Sequence, residues 1–354
     1  MSLHYWREGV KVMGILKKKG IHISFKTYLI DGLSFMALGL FSSLIIGLIM
    51  QTAGNELGIT FLTEMGVLAM GLAGPAIGAA VAYGLKAPPL VLFAGVITGA
   101  AGYALGGPAG AYVAAVVSTE AGKLVSQSTK IDIIVTPFVT IAAGYGISAL
   151  VGPEIQSFMQ ATGQTIGWAT EQRPLVMGML VAGLMGLALT APISSAAIAL
   201  MLELDGLAAG AAAIGCSAQM IGFAVASYRD NKWGGSIAQA IGTSMLQVPN
   251  IVRNPLILIP PTVAGVLLAP IGTIFFQMEN NASGAGMGTS GFVGQIMTFN
   301  TMGFSMDVLL KVGLLHFIGP AVISLLLSHY MVKAGMIKPG QMRISTGGIR
   351  NEKA

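Results

Sequence analysis

The chain has 354 residues, 54% hydrophobic and only 9% charged, with 19 Lys and Arg against 14 Asp and Glu. Soluble domains carry about 25% charged residues, so this composition, with a mean hydropathy of +0.77, excludes a soluble fold of this size. The net charge of +5 would suit nucleic acid, but the basic residues gather towards the two ends, which speaks for membrane orientation and no nucleic-acid partner.

Lipid offers the backbone no hydrogen-bond partners, so only helices and closed barrels span it. The apolar runs are long and continuous rather than alternating, which selects an all-α integral membrane fold. A crossing takes about 20 residues, and the length therefore allows about ten transmembrane helices. The single Cys216 leaves no intramolecular disulfide and no cysteine-built metal site.

Residues 1–31 carry Arg7, Lys11, Lys17, Lys18, Lys19 and Lys26 interleaved with apolar side chains. They read as a basic cytoplasmic or interfacial segment. The transmembrane domain is expected over 32–335. Its spans fall near 33–50, 66–85, 89–105, 109–127, 133–151, 174–190, 206–227, 255–276 and 308–332, with a short apolar piece at 192–202 as a further crossing. Residues 336–354 read as a cytoplasmic tail. With the N-terminus inside, Lys86, Lys123, Lys130, Arg229, Lys232, Arg253, Lys333, Lys338 and Arg343 all fall on the cytoplasmic side, as the positive-inside rule requires. The region 152–173 becomes an external loop, and both termini are cytoplasmic at a bacterial inner membrane.

Two segments resist assignment as ordinary spans. Residues 234–254 (GGSIAQAIGTSMLQVPNIVRN) and 279–303 (ENNASGAGMGTSGFVGQIMTFNTMG) are too polar and glycine-rich for a lipid-facing helix. Both are too apolar for a solvated loop. Each contains Gly-Thr-Ser, at 242–244 and 288–290. Irregular backbone at membrane depth is tolerated only inside protein or beside a wet cavity. Two re-entrant hairpins entering from opposite faces would meet near the midplane, where transporters hold their substrates.

The candidate binding residues lie on these segments. Gln247, Asn250 and Asn254 offer paired donors and acceptors between the helix-breaking Pro249 and Pro255, and Arg253 adds a cation for a carboxylate or phosphate. The other reading is that the asparagines and arginine cap the hairpin and hold lipid phosphate. The second segment supplies Glu279, Asn280, Asn281, Thr289, Ser290 and Gln295. Glu279 is a proton acceptor or hydroxyl partner if buried, and a solvated carboxylate if not. Ser194 and Ser195, after the break at Ala191-Pro192, either line the cavity or satisfy freed carbonyls. His316 is expected to be buried, as a packed, hydrogen-bonded side chain or else as a proton relay. No Walker motif, zinc-ligand spacing or nucleophile elbow is present, so no metal or cofactor is expected, and no hydrolytic chemistry by this chain alone.

Residues 242–255 (GTSMLQVPNIVRNP), 190–195 (TAPISS) and 279–291 (ENNASGAGMGTSG) resemble the EIIC-type membrane subunits of the sugar phosphotransferase system. More narrowly, they are similar to the branch described as toxin regulators of the perfringolysin type. The resemblance implies a homodimer with ten helices and two re-entrant hairpins per protomer. It also implies a small polar, sugar-like or anionic solute held between the hairpins and moved by elevator-type alternating access. Phosphotransfer would need separate EIIA- and EIIB-type subunits, and no histidine is expected in or near either hairpin, where the resemblance to active sugar permeases implies one. A membrane ligand sensor without transport is the alternative.

Overall fold

The computed structural model describes residues 16, 18–21, 23–170 and 172–344. The basic segment expected at 1–31 therefore falls largely outside the described residues, as do residues 345–354 of the tail. Among the described residues every regular element is helical, and the one β contact is an isolated bridge between Gly206 and Asn280.

The elements in chain order are α1 (Lys26–Asn55), α2 (Thr60–Gly71), α3 (Ala73–Gly84), α4 (Pro89–Val125), α5 (Asp132–Thr170), α6 (Pro174–Thr190) and α7 (Ser195–Met201). After these come α8 (Gly206–Ala226), α9 (Tyr228–Ile237), α10 (Pro255–Phe275), α11 (Val293–Met302) and α12 (Met306–Lys333). Of these, 6 are long and apolar enough to cross a bilayer, or 7 if α2 and α3, bent by 53°, act as one span.

Several boundaries match expectation closely, α6 to the residue. Others differ for physical reasons. Helix α1 begins at Lys26, so the last part of the expected interfacial segment already belongs to the first span. The runs near 89–105 and 109–127 join as α4, broken only at Gly106 and Gly107; Gly107, at φ +59° and ψ −151°, adopts a backbone closed to other residues. The region 152–173 is not a loop. Helix α5 continues through Pro137 and Pro153 to Thr170. The 192–202 piece holds only the 7-residue α7. At 1.5 Å per residue that is about 10 Å, too short to cross.

The chain divides into two compact units, one of Met1–Leu40 with Leu72–Ile155 and one of Phe41–Gly71 with Gln156–Ala354. In the first, α3 packs on α4 through small residues. Gly74 and Gly78 of α3 face Gly95 and Gly99 of α4, and a methyl added at Gly78 would overlap the Gly95 carbonyl oxygen. Lipid gives helices no hydrophobic reason to associate, so such close backbone approach carries the packing. Thr98 and Ser118 bond to each other at 2.9 Å in the interior.

In the second unit α8 is the central helix. Nearly all its side chains are buried, and α6, α10 and α12 pack around it. Alanine and glycine make this closeness possible; a methyl at Gly215 would overlap the Ala182 carbonyl oxygen of α6. Ser217 and Gln219 are the polar exceptions on this helix, both fully buried.

Candidate functional site

The site residues expected from the sequence all lie in the second unit. The first broken segment leaves α9 through a short wide turn at Ala238–Gly242, a 3-10 turn at Ser244–Gln247 and a helical turn at Val248–Arg253. Two proline-led starts, at Pro249 and Pro255, enforce the interruptions because proline has no N–H to continue a helix. The second segment runs from Met278 through a short turn at Ala282–Ala285 and a 3-10 turn at Ser290–Phe292 into α11. Gly288, Gly291 and Phe292 all have positive φ, and for phenylalanine that is a strained backbone.

The Gly-Thr-Ser phrase of the second segment meets the turn that leads into the phrase of the first. The Thr289 hydroxyl donates to the Ala240 carbonyl, and Ser290–Phe292 packs against Ala238–Gly242. Ser244 of the first segment bonds Thr190 at the end of α6 at 2.8 Å, and Thr190 donates to Gln219 Oε1 at 3.3 Å. Gln219 Nε2 donates in turn to Thr262 of α10 at 2.7 Å. Ser195 donates to the Gly286 carbonyl at 2.7 Å, which ties the start of α7 to the second segment. Ser194 is half-buried beside it.

Most of the expected binding side chains are already engaged within the protein. Gln247 Nε2 donates to Gln239 Oε1 at 2.8 Å and to the Met342 carbonyl at 2.9 Å. Asn250 Nδ2 donates to Gln247 Oε1 at 2.8 Å and the Arg343 carbonyl at 3.0 Å. Asn254 Nδ2 reaches the Met336 carbonyl at 3.0 Å and Gln341 Oε1 at 2.9 Å. All three amides thus hold the segment after α12. Arg253 and Glu279 are exposed, so the burial that would single out Glu279 does not occur in this chain.

Asn280 and Asn281 shape the second segment. Asn281 Oδ1 accepts from the Ser283 and Gly284 N–H groups, capping the short turn that follows. Asn280 is fully buried; its Nδ2 donates to the Gly294 carbonyl at 2.9 Å and Thr298 Oγ1 at 3.0 Å, and its Oδ1 accepts from the Asn281 N–H at 2.8 Å. Asn280→Ala should therefore strip buried partners and lower unfolding stability by about 1–3 kcal/mol. Thermal unfolding of the purified protein in detergent measures this.

What remains free is a compact polar group. Gln295 Nε2 donates to Ser217 Oγ of α8 at 3.3 Å and lies 2.9 Å from His316 Nδ1 of α12. With the amide nitrogen as donor, His316 Nδ1 accepts and its Nε2 carries the proton. Gln295 Oε1, His316 Nε2 and Ser290 Oγ are all buried and have no partner among the described residues. Buried polar groups are nearly always paired, so these orphans, like Thr119 Oγ1 in the first unit, are exceptions among the described residues. The expectation that no histidine lies near a hairpin is corrected here: His316, distant in sequence, folds back onto Gln295. Ser217 and Gln219 escaped the sequence reading, although a serine and a glutamine in a 21-residue apolar run were a usable signal. A separate groove of about 310 Å³ between α8 and α12, lined by Tyr228, Arg229, Leu325 and His329, contains none of the expected site residues.

Long apolar helices packed through glycine, interrupted by two polar segments that meet over buried hydrogen-bonding groups, define a multi-pass membrane protein with a polar interior. A profile of the family described as Phosphotransferase system, EIIC matches residues 30–344. The chain belongs to that family, and its role is that of a membrane transport permease. No curated protein and no solved structure matches the chain.

Proposed function

We propose that the chain is a permease for a neutral, hydroxyl-rich solute of the sugar or polyol class, bound at Ser217, Ser290, Gln295 and His316. The observation that carries this is the set of buried orphans: one acceptor at Gln295 Oε1, one donor at His316 Nε2 and one hydroxyl at Ser290. Sugar hydroxyls both donate and accept, and match this mixture. Among the described residues no Lys or Arg side chain bonds to the group, and Arg253 is exposed; this favours a neutral solute over an anion. Family membership supports a sugar-type solute and separate EIIA- and EIIB-type partner subunits.

On this reading the broken segments are re-entrant hairpins in an elevator-type carrier working as a homodimer, with α7 too short to serve as the tenth crossing. The break at Gly106–Gly107 supports counting α4 as two crossings, since a 37-residue helix would be about 55 Å long against about 30 Å of hydrocarbon. The distribution of basic residues supports cytoplasmic termini in a bacterial inner membrane. Gln247, Asn250 and Asn254 act in this scheme by holding the first hairpin, with Thr289, Asn280, Asn281, Ser194 and Ser195 shaping the second. Arg253 and Glu279 stand outside the solute site. The narrower likeness to perfringolysin-type regulators belongs to the same proposal.

The test is a thermal-unfolding screen of the purified protein against sugars, polyols, organic acids and nucleosides. Stabilisation by sugars or polyols alone is expected. Stabilisation by organic acids alone would overturn the assignment of a neutral solute.

A further inference from the structure

The chain after α12 is gripped as a peptide ligand would be. Residues 338–344 turn back against α9 and the first broken segment, with the Gln341 and Arg343 N–H groups donating to the Lys338 and Gly340 carbonyls. Asp230 accepts from the Gly340 N–H at 2.9 Å through Oδ1 and from the Met342 N–H at 3.1 Å through Oδ2. Asn231 Nδ2 donates to the Met342 carbonyl at 2.8 Å, and its Oδ1 accepts from the Ile344 N–H at 2.8 Å. Gln247 and Asn250 take the Met342 and Arg343 carbonyls, and Asn254 takes Gln341 Oε1.

These contacts read main-chain groups almost throughout. Met342 and Ile344 are buried while Arg343 between them is exposed. Beneath them Ile337 and Met342 join Phe223, Ile257 and Met331 in a small apolar cluster. The strap thus joins α9 to the first broken segment by hydrogen bonds and a small apolar contact, with no ion pair among the described residues. Contacts of that kind can be exchanged for water or for another peptide.

The same segment holds the first broken segment, which in turn meets the second. The bonds pass from the strap through Asn250, Gln247 and Gln239 to Ser227. Ala240, the chain neighbour of Gln239, accepts from Thr289, one residue after Gly288, which packs directly on Cys216 and Ser217.

We propose that residues 338–344 form a releasable latch, built from the chain's own C-terminal region, that holds the first broken segment closed against the second and so controls access to the polar interior. The latch rests on the proposed site for its purpose, but its test needs no solute. Cys216 is the single cysteine, fully buried and beside Ser217, so its reaction with N-ethylmaleimide reports opening. The full chain carrying Met342→Asp and Ile344→Asp should release the strap and label at Cys216 at least tenfold faster than wild type. A synthetic peptide of residues 336–344, added in trans, should return the rate to within about twofold of wild type. Unchanged labelling in the variant would overturn the proposal. So would fast labelling that the peptide does not reverse, because the strap would then be part of the fold and not a latch.

Discussion

Gln295→Leu is expected to weaken binding of the sugar-class solute by at least tenfold, about 1.4 kcal/mol or more. The substitution nearly conserves volume but removes the carboxamide that faces both Ser217 and His316. It deletes the orphan acceptor at Oε1 and leaves His316 Nδ1 without its partner. The second effect complicates the first. A buried polar group stripped of its partner costs about 1–3 kcal/mol, so a melting experiment on the single variant mixes loss of fold with loss of site. Adding His316→Phe separates them. The double variant replaces both members of the pair with apolar groups, which is often close to neutral for stability. Melting should therefore recover in the double variant while solute stabilisation stays absent. Recovery of both would mean the Gln295–His316 pair only packs the interior.

Gly78→Val should damage the first unit severely. The new side chain would meet the Gly95 carbonyl oxygen and the Gly99 backbone, with Gly99 Cα 2.9 Å from the added Cβ. Neither obstacle is a flexible side-chain end, so the helices themselves must separate. Overpacking of tight interfaces costs about 1–3 kcal/mol and occasionally more, and this site belongs at the upper end. Separation also loosens the neighbouring Gly74 and Gly99 contacts, because the glycines on the two helices interlock. Gly146→Val is the matching control: it sits on α5 with open space around its Cβ position. The expected result is a lower unfolding temperature and severalfold lower yield for Gly78→Val, with Gly146→Val near wild type. Equal behaviour of the two variants would contradict the glycine-based packing.

How far the sequence revealed the architecture depended on the kind of signal. Helix α6 was legible to its ends because Pro174 starts it and Ala191-Pro192 stops it. Helices α8, α10 and α12 were legible because apolar runs of the right length have few other uses in a chain this poor in charge. The second half of α5 was not. Gly152, Pro153 and the polar residues Gln156, Gln160 and Gln164 look like a loop, yet the helix tolerates them. The two broken segments stood out by composition, and the repeated Gly-Thr-Ser phrase marked both. Their side-chain chemistry did not follow. Gln247, Asn250 and Asn254 looked like solute ligands because amides are versatile, but each also bonds a backbone carbonyl, of Met342, Arg343 and Met336, more than 80 positions away. The Gln295–His316 pair was hidden for a similar reason: nothing local joins a residue of the glycine-rich segment to one inside the last apolar helix.

The most direct test of the central claim is flux across a bilayer. Wild-type protein and the Gln295→Leu, His316→Phe double variant would be reconstituted in liposomes and given, one at a time, radiolabelled sugars and polyols that stabilise the wild type. The account predicts saturable uptake by the wild type and loss of at least nine-tenths of it in a double variant that melts normally. Equal uptake by the two proteins would contradict it, as would binding to the wild type with no uptake at all.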